Sequence, residues 1–517
     1  SENIKVGNSI INDISFAGEK SFNWQKSFPN IFENGGFDIV VGNPPYVRQE
    51  YLKEIKPYLK NQFESFDGQA DLYVYFLEKS LSVLKDDGIL GVIVSNKWVK
   101  TGYGKNLRNY LNKFYIEIFL DFGDLQIWEK ATTYPCIMIM RKNNKKNREI
   151  LACNIETLDF ADLTSYVNSN YFSLNQESFN KNEWIIKNPK IFKVIEKIRN
   201  QSSILSEYVS GESYRGILTG LTKAFVIDEQ TRNLLVKEDP NSKQILRPFL
   251  KGDEVRKYGI KSDKNYLILT PIGIEISKYP AILKWLSNFK TEAEKRYDKG
   301  NHWYELRSCN YYDLFSNPKI IYGKITTKPR FTLDCEGYMA NDSNFILPIE
   351  DKHLLGILNS KLGWFLISIF CPRVKGGYQL IWKNFSQILI HNKKNPKIVK
   401  IVDKILEHQS KITEDQEIVA TRIKNELEVD SISKKLFNFY DLSQRDFETE
   451  LKKISKSKLS KDDLDDWQKY FLKQKKLINF EMDEINALDD EINKQVYGLY
   501  QITKDEQEII ENHILDN

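Results

Sequence analysis

Phe37-Asp38-Ile39-Val40-Val41-Gly42-Asn43-Pro44-Pro45-Tyr46 is the stretch on which the reading of the whole chain depends. Ile39 to Val41 is β-branched and apolar, and a glycine stops it, which predicts the end of a buried strand. The residues that follow do not suit a simple turn. Two successive prolines give up two backbone N–H donors, fix both φ angles and leave their carbonyls as acceptors. An amide side chain precedes them and an aromatic ring follows. Such a site can accept two hydrogen bonds from an amino group and cover a flat ring, which suits a planar, NH2-bearing nucleobase. The competing reading is a strand running into a Pro-Pro turn with no chemistry. The joint presence of strand, glycine and all four residues weighs against it.

Outward from this stretch, 517 residues allow two to four domains and a substantial core. Apolar residues at 41% and charged residues at 28% describe an ordinary globular chain. The 75 basic and 71 acidic residues leave a net charge of +4, too balanced to argue for nucleic acid without local clustering. Five cysteines show no CxxC spacing and no paired framework, which suits a reducing cytoplasm. The longest apolar run, Leu362 to Cys371, falls well short of the roughly 20 residues that span a bilayer, so no membrane partner is expected. No signal peptide is read in the opening residues.

Residues 1–150 read as one α/β domain. Asn3 to Val6 is expected as a strand and Gly7 to Ile11 as a polar turn. Leu72, Phe76, Leu77, Leu81 and Leu84 make one apolar face of a helix, stopped by Asp87-Gly88. Ile89–Val94, Ile116–Leu120 and Tyr134–Met140 read as further strands. Strands alternating with helices predict a mostly parallel sheet. A polar run from Arg141 to Asn147 and an Asn/Ser-rich stretch from Asn168 to Asn182 mark a boundary before about residue 185.

Asn43-Pro44-Pro45-Tyr46 resembles the catalytic tetrapeptide of amino methyltransferases that use S-adenosyl-L-methionine. The resemblance implies that the Asn43 side-chain oxygen and the Pro44 carbonyl accept both hydrogens of the target amine, beside Pro45. Two preorganised acceptors would stabilise the positive charge that grows on the nitrogen during methyl attack. Tyr46 would stack on a base extruded from the duplex. Asp71-Leu72-Tyr73, Trp98 and the run Ile127 to Cys136 resemble later motifs of the same family. Trp128 matches its second base-stacking aromatic, with a core tryptophan as the equal alternative. Asn8 matches its contact to the cofactor's adenine, with a turn-capping asparagine as the stronger alternative. Asn43 borders the cofactor as well.

The family's glycine-rich cofactor loop is not found. Gly35-Gly36 precedes the catalytic strand, and Gly102 and Gly104 follow it. The resemblance thus implies a partial Rossmann-like methyltransferase sheet. The loop and first two strands are expected before residue 1 or in a second polypeptide, and the isolated chain is expected to bind cofactor weakly and methylate little. The tetrapeptide alone leaves open adenine N6, guanine N2 in ribosomal RNA and a glutamine side chain in a release factor.

Residues 185–395 read as an α+β target-recognition domain. The runs Arg215 to Leu221, Ala224 to Asp228, Leu246 to Asp253, Trp303 to Arg307, Pro318 to Ile320 and Leu354 to Ser360 resemble, in that order, the TaqI-like specificity region of type IIG restriction–modification enzymes. That order favours double-stranded DNA and adenine N6 over the RNA and glutamine alternatives. Candidate DNA contacts are Arg215, Lys251, Arg256, Arg307, Arg330, Arg373, Lys375 and Tyr378, because arginine can pair bidentately with guanine edges or phosphate and lysine supplies charge. Arg373-Val374-Lys375-Gly376-Gly377-Tyr378 is the preferred contact loop, since two glycines let backbone approach closely. For each single residue a solvated surface is the competing reading.

Residues 396–517 read as helical. Ile398, Ile401, Val402, Ile405 and Leu406 follow helical spacing. Ser460 with Asp463 forms a capping box, and Thr503 with Glu506 another. The Lys-rich stretch Lys452 to Lys461 can track phosphate, but a solvated helix face is the stronger reading. No nuclease carboxylate–lysine cluster is found. The leading reading is an adenine-specific DNA methyltransferase of a restriction–modification system; the alternative is a DNA-recognition module without catalysis of its own.

Overall fold

The computed structural model describes residues 3–515, apart from 124, 126, 128–133, 146–147, 156, 180–183, 185, 187, 375 and 457–458. The chain divides into two compact units, one of residues 1–200 with 372–376 and 515–517, the other of residues 201–371 and 377–514.

The first unit is built on six strands: β1 (Phe37–Gly42), β2 (Leu84–Ser95), β3 (Tyr115–Asp121), β4 (Pro135–Arg141), β5 (Glu149–Asn154) and β6 (Phe172–Asn175). Their order is β1-β2-β4-β3-β5-β6. β1 runs parallel to β2 and β3 parallel to β5, but β4 sits antiparallel between β2 and β3, and β6 antiparallel to β5. The sheet is therefore mixed, not mostly parallel as the alternation of elements predicts. β3 and β4 follow each other in the chain and lie side by side antiparallel, a pairing that needs no crossover between them.

Helix Tyr73–Val83 buries Val74, Leu77 and Leu81 against Leu90, Val92 and Val94 of β2. These positions recur at helical spacing on one side and alternate along the strand on the other, so both patterns meet in one core. The expected strand at Asn3–Val6 does not form. Ile4 and Val6 stand in solvent, and only Asn8 makes a bridge, to Ser21.

β1 departs from expectation too. It pairs only with β2 among the described residues, and its Ile39 and Val41 are 60% and 79% exposed. A β-branched run predicts burial on both faces, as in a central parallel strand. Here one face and the outer edge are bare.

The second unit contains β7 (Ser202–Ile204), β8 (Tyr214–Arg215), β9 (Val226–Ile227), β10 (Leu246–Leu250), β11 (Asn265–Ile268), β12 (Lys319–Gly323), β13 (Ile325–Thr326), β14 (Phe331–Asp334), β15 (Met339–Ala340) and β16 (Asn344–Leu347). Two four-stranded sheets result, β15-β10-β11-β9 and β14-β12-β16-β8, the second wholly antiparallel. Behind them lie the buried helices Lys352–Asn359 and Lys361–Phe370.

Two long helices, Pro396–Glu426 and Lys461–Leu499, pack along each other. The Ser460–Asp463 capping box forms, and Thr503 and Glu506 exchange backbone-to-side-chain hydrogen bonds of 2.8 and 3.3 Å. Among the described residues no single helix is long and apolar enough to cross a membrane.

Candidate active site and nucleic-acid interface

Asn43-Pro44-Pro45-Tyr46 follows the C-terminal end of β1, outside any helix or strand. Asn43 and Pro45 are exposed, Pro44 is buried and Tyr46 is half-buried. The Pro45 carbonyl accepts the Val47 N–H at 3.0 Å. Among the described residues no donor reaches the Asn43 side chain or the Pro44 carbonyl. Two acceptors, one from a side chain and one from a rigid proline backbone, thus stand uncommitted at a strand end.

The exit from the tetrapeptide is pinned. The Leu72 N–H donates to the Val47 carbonyl at 3.0 Å, and the Gln49 N–H donates to Asp71 Oδ1 at 3.0 Å. Asp71 and Leu72 lie just before helix Tyr73–Val83, so the helix start fixes the chain that carries the acceptors. Burial raises the Asp71 carboxyl above the usual range, opposed by the Gln49 hydrogen bond.

The Tyr46 ring lies 6.3 Å from that of Tyr73, tilted by 56°. Tyr73 is buried, and its hydroxyl meets that of Tyr103 at 3.0 Å. Burial pushes the Tyr46 hydroxyl up to about 12, with the Cys136 thiol adding to the effect, so it stays protonated at neutral pH. Tyr103 escapes a sequence reading because it sits between Gly102 and Gly104, where the glycines draw notice. Asp71 is visible as a motif residue, but its grip on Gln49 is not, since nothing local links the two positions.

The cofactor assignment of Asn8 fares differently. Its side-chain oxygen accepts the N–H groups of Ile10 and Ile11 at 3.1 and 3.2 Å, and so caps its own turn. The turn cap is the reading that the sequence favours for this residue. Trp128 lies outside the described residues.

The expected DNA contacts are dispersed over several loops and strands of the chain. Arg215, on β8, is exposed and pairs with Asp342 at 2.9 Å. Arg307 is exposed, 3.7 Å from Asp298. Lys251 reaches Asn265 at 3.4 Å, and Arg256 donates to the carbonyls of Asp253 and Val255. Arg330 and Arg373 are half-buried, and Lys375 lies outside the described residues. Tyr378 is 5% exposed, edge-on to Trp364 at 5.2 Å. It is a core residue, because the glycines before it turn the chain inward at that point, and it does not belong in a contact loop.

Residues 1–128 match the family described as Eco57I restriction-modification methylase, and residues 247–390 match the TaqI-like C-terminal specificity domain. The chain carries an Eco57I-type methylase region and a TaqI-like specificity domain. Residues 391–496 match a domain of unknown function, DUF8810. Relatives of this methylase-and-specificity chain include the type II methyltransferase M.BstVI of Geobacillus stearothermophilus, 30% identical over 232 residues and 40% of each chain. The type II restriction enzyme and methyltransferase RM.Eco57I of Escherichia coli is 26% identical over 57% of this chain and 30% of its own. The fold resembles that of the type IIL restriction-modification enzyme MmeI, solved in complex with DNA, with a TM-score of 0.50, 12% identity, and coverage of 91% of this chain and 59% of that one. The chain spans between 30% and 64% of the length of M.BstVI, RM.Eco57I, M.PaeR7I and M.BanIII.

Proposed function

We propose that this chain forms the amine-holding and DNA-recognising part of an S-adenosylmethionine-dependent methyltransferase. It acts on adenine N6 in a specific duplex sequence, within a type II restriction–modification system. One observation carries the reading: the Asn43 side chain and the Pro44 carbonyl end an open strand with no partner among the described residues.

An aromatic amine is a poor nucleophile because its lone pair is shared with the ring. Asn43 Oδ1 and the Pro44 carbonyl each accept one N6 hydrogen, draw the nitrogen toward tetrahedral geometry and stabilise its growing positive charge. The proline ring and the pins at Val47 and Gln49 fix the acceptors beforehand, so little reorganisation is needed during the reaction. Tyr46 offers its face to the extruded base. When bound, S-adenosylmethionine supplies the methyl group. Asn43 would border its reactive end, and Asn8, whose side-chain oxygen caps its own turn, would have only its amide NH2 to offer the adenine.

The bare edge and face of β1 support completion by further polypeptide, either of the same chain or of a second one. They also favour a second reading, a DNA-recognition module that does not methylate unaided. Calorimetric titration with S-adenosylmethionine, together with a gel shift on duplex DNA, separates the two. Binding of both ligands by residues 1–517 supports an enzyme complete in this chain. DNA binding without cofactor binding supports the module, and binding of neither overturns both.

A further inference from the structure

The specificity region holds a loop, residues 296–305, that a buried charged group anchors at each end. Arg296 is buried, and its guanidinium donates to the carbonyls of Thr219 at 2.7 Å, Trp303 at 2.7 Å and Glu305 at 2.8 Å. The same group lies 4.4 Å from the Phe225 ring centre. Glu305, buried at the other end of the loop, accepts the N–H groups of Gly273 and His302, both at 2.9 Å. Two opposite charges are thus sunk into the protein, each satisfied largely by backbone. Buried charge is retained only where every polar contact is met, and it then fixes one geometry.

The run Arg215 to Leu221 supplies the seat. Gly220 has a φ of +66°, and a Cβ there would stand 3.3 Å from the Arg296 side chain and 3.4 Å from the Asp298 carbonyl. Thr219 accepts from Arg296 and Gly220 allows the loop to close over it, which gives a physical reason for the Thr-Gly pair.

Directly after the buried anchor stands Tyr297, 100% exposed. A ring left wholly in water returns nothing to the folded state. Lys295 and Lys299 flank it in solvent, and Arg307 reaches the loop through Asp298. One of the arginines selected as DNA contacts, Arg307, therefore borders the element that carries the exposed ring.

We propose that Tyr297 is a DNA-contacting residue whose ring packs against the sugars and base edges of the duplex, while Lys295 and Lys299 meet phosphates. The proposal rests on the DNA reading above. A rigid aromatic side chain loses little entropy on binding, and a contact to sugars positions the protein on the duplex without depending on its sequence.

The test is fluorescence anisotropy of the full chain with a labelled duplex of mixed sequence, read at several salt concentrations. Tyr297→Ala is expected to weaken binding about tenfold with the salt slope unchanged, since the ring carries no charge. Tyr297→Phe is expected to bind as the unaltered chain does, and Lys299→Ala to flatten the slope. Tyr297→Ala binding as tightly as the unaltered chain overturns the inference and leaves the DNA reading standing. An unaltered chain that does not bind the duplex at all overturns the DNA reading, and the inference with it.

Discussion

Strands β1 and β12 are written in nearly the same letters, Ile39-Val40-Val41-Gly42 and Ile320-Ile321-Tyr322-Gly323, yet they live in opposite surroundings. β12 lies between β14 and β16, with Ile320, Ile321 and Tyr322 fully buried. Lys319, at its start, faces Asp334 across the ladder, and the two form an ion pair with no exposure at either side chain. The ammonium also donates to the Phe315 carbonyl at 2.5 Å, and Asp334 accepts the N–H groups of Glu336 and Tyr338, both at 2.9 Å. β1 has a neighbour on one side only and shows two apolar side chains to water. A β-branched run with a terminal glycine specifies a strand and its stop; its neighbours decide whether that strand is core or open edge. An exposed apolar edge is normally blunted by charge, proline or a bulge, because it templates pairing with other chain. β1 has Asp38, paired with the half-exposed Lys85, and little else.

The comparison can be sharpened by substitution on both strands. The largest effect is expected at Lys319→Met, which strands the Asp334 carboxylate in the core and should cost about 3–5 kcal/mol in urea unfolding. Adding Asp334→Leu should recover much of that loss, since an apolar pair of similar volume needs no partner. If Lys319→Met unfolds at the same urea concentration as the unaltered chain, β12 is not the closed strand described. A smaller but still large loss, roughly 2–5 kcal/mol, is expected from Ile321→Ala, because the side chain leaves a cavity. The smallest effect belongs to Val41→Ala on β1, within about 0.5 kcal/mol for residues 1–517 alone, as for other surface positions. Equal losses at Ile321 and Val41 would erase the distinction between the strands.

The sequence made much of this legible, for reasons visible in particular residues. The helix at Tyr73–Val83 was readable because its apolar spacing is helical and long enough to exclude a strand. The Ser460–Asp463 box was readable because a cap is a local hydrogen-bond pattern four residues wide. Non-local facts were not. The antiparallel insertion of β4 depends on how the chain returns between strands, and periodicity is silent on that. Ile39 and Val41 carry the letters of a covered strand, so their exposure emerges only when the neighbours are placed. At the site, Asn43 and Pro44 were legible as a motif, whereas the grip of Asp71 on Gln49 requires the fold. Tyr378 misled because Gly376-Gly377 permits a surface loop and an inward turn alike. Arg296 drew no attention, and Glu305 only as a member of the run Trp303 to Arg307, since charge in a sequence reads as surface until burial is seen.

The central claim is that Asn43 and Pro44 hold the target amine. Its most direct test is the rate of methyl transfer to duplex DNA by the completed enzyme carrying Asn43→Ala, with DNA affinity measured alongside. Removing one preorganised partner of the reacting nitrogen should slow transfer by about a hundredfold or more, with DNA affinity nearly unchanged. Transfer at close to the unaltered rate would contradict the account.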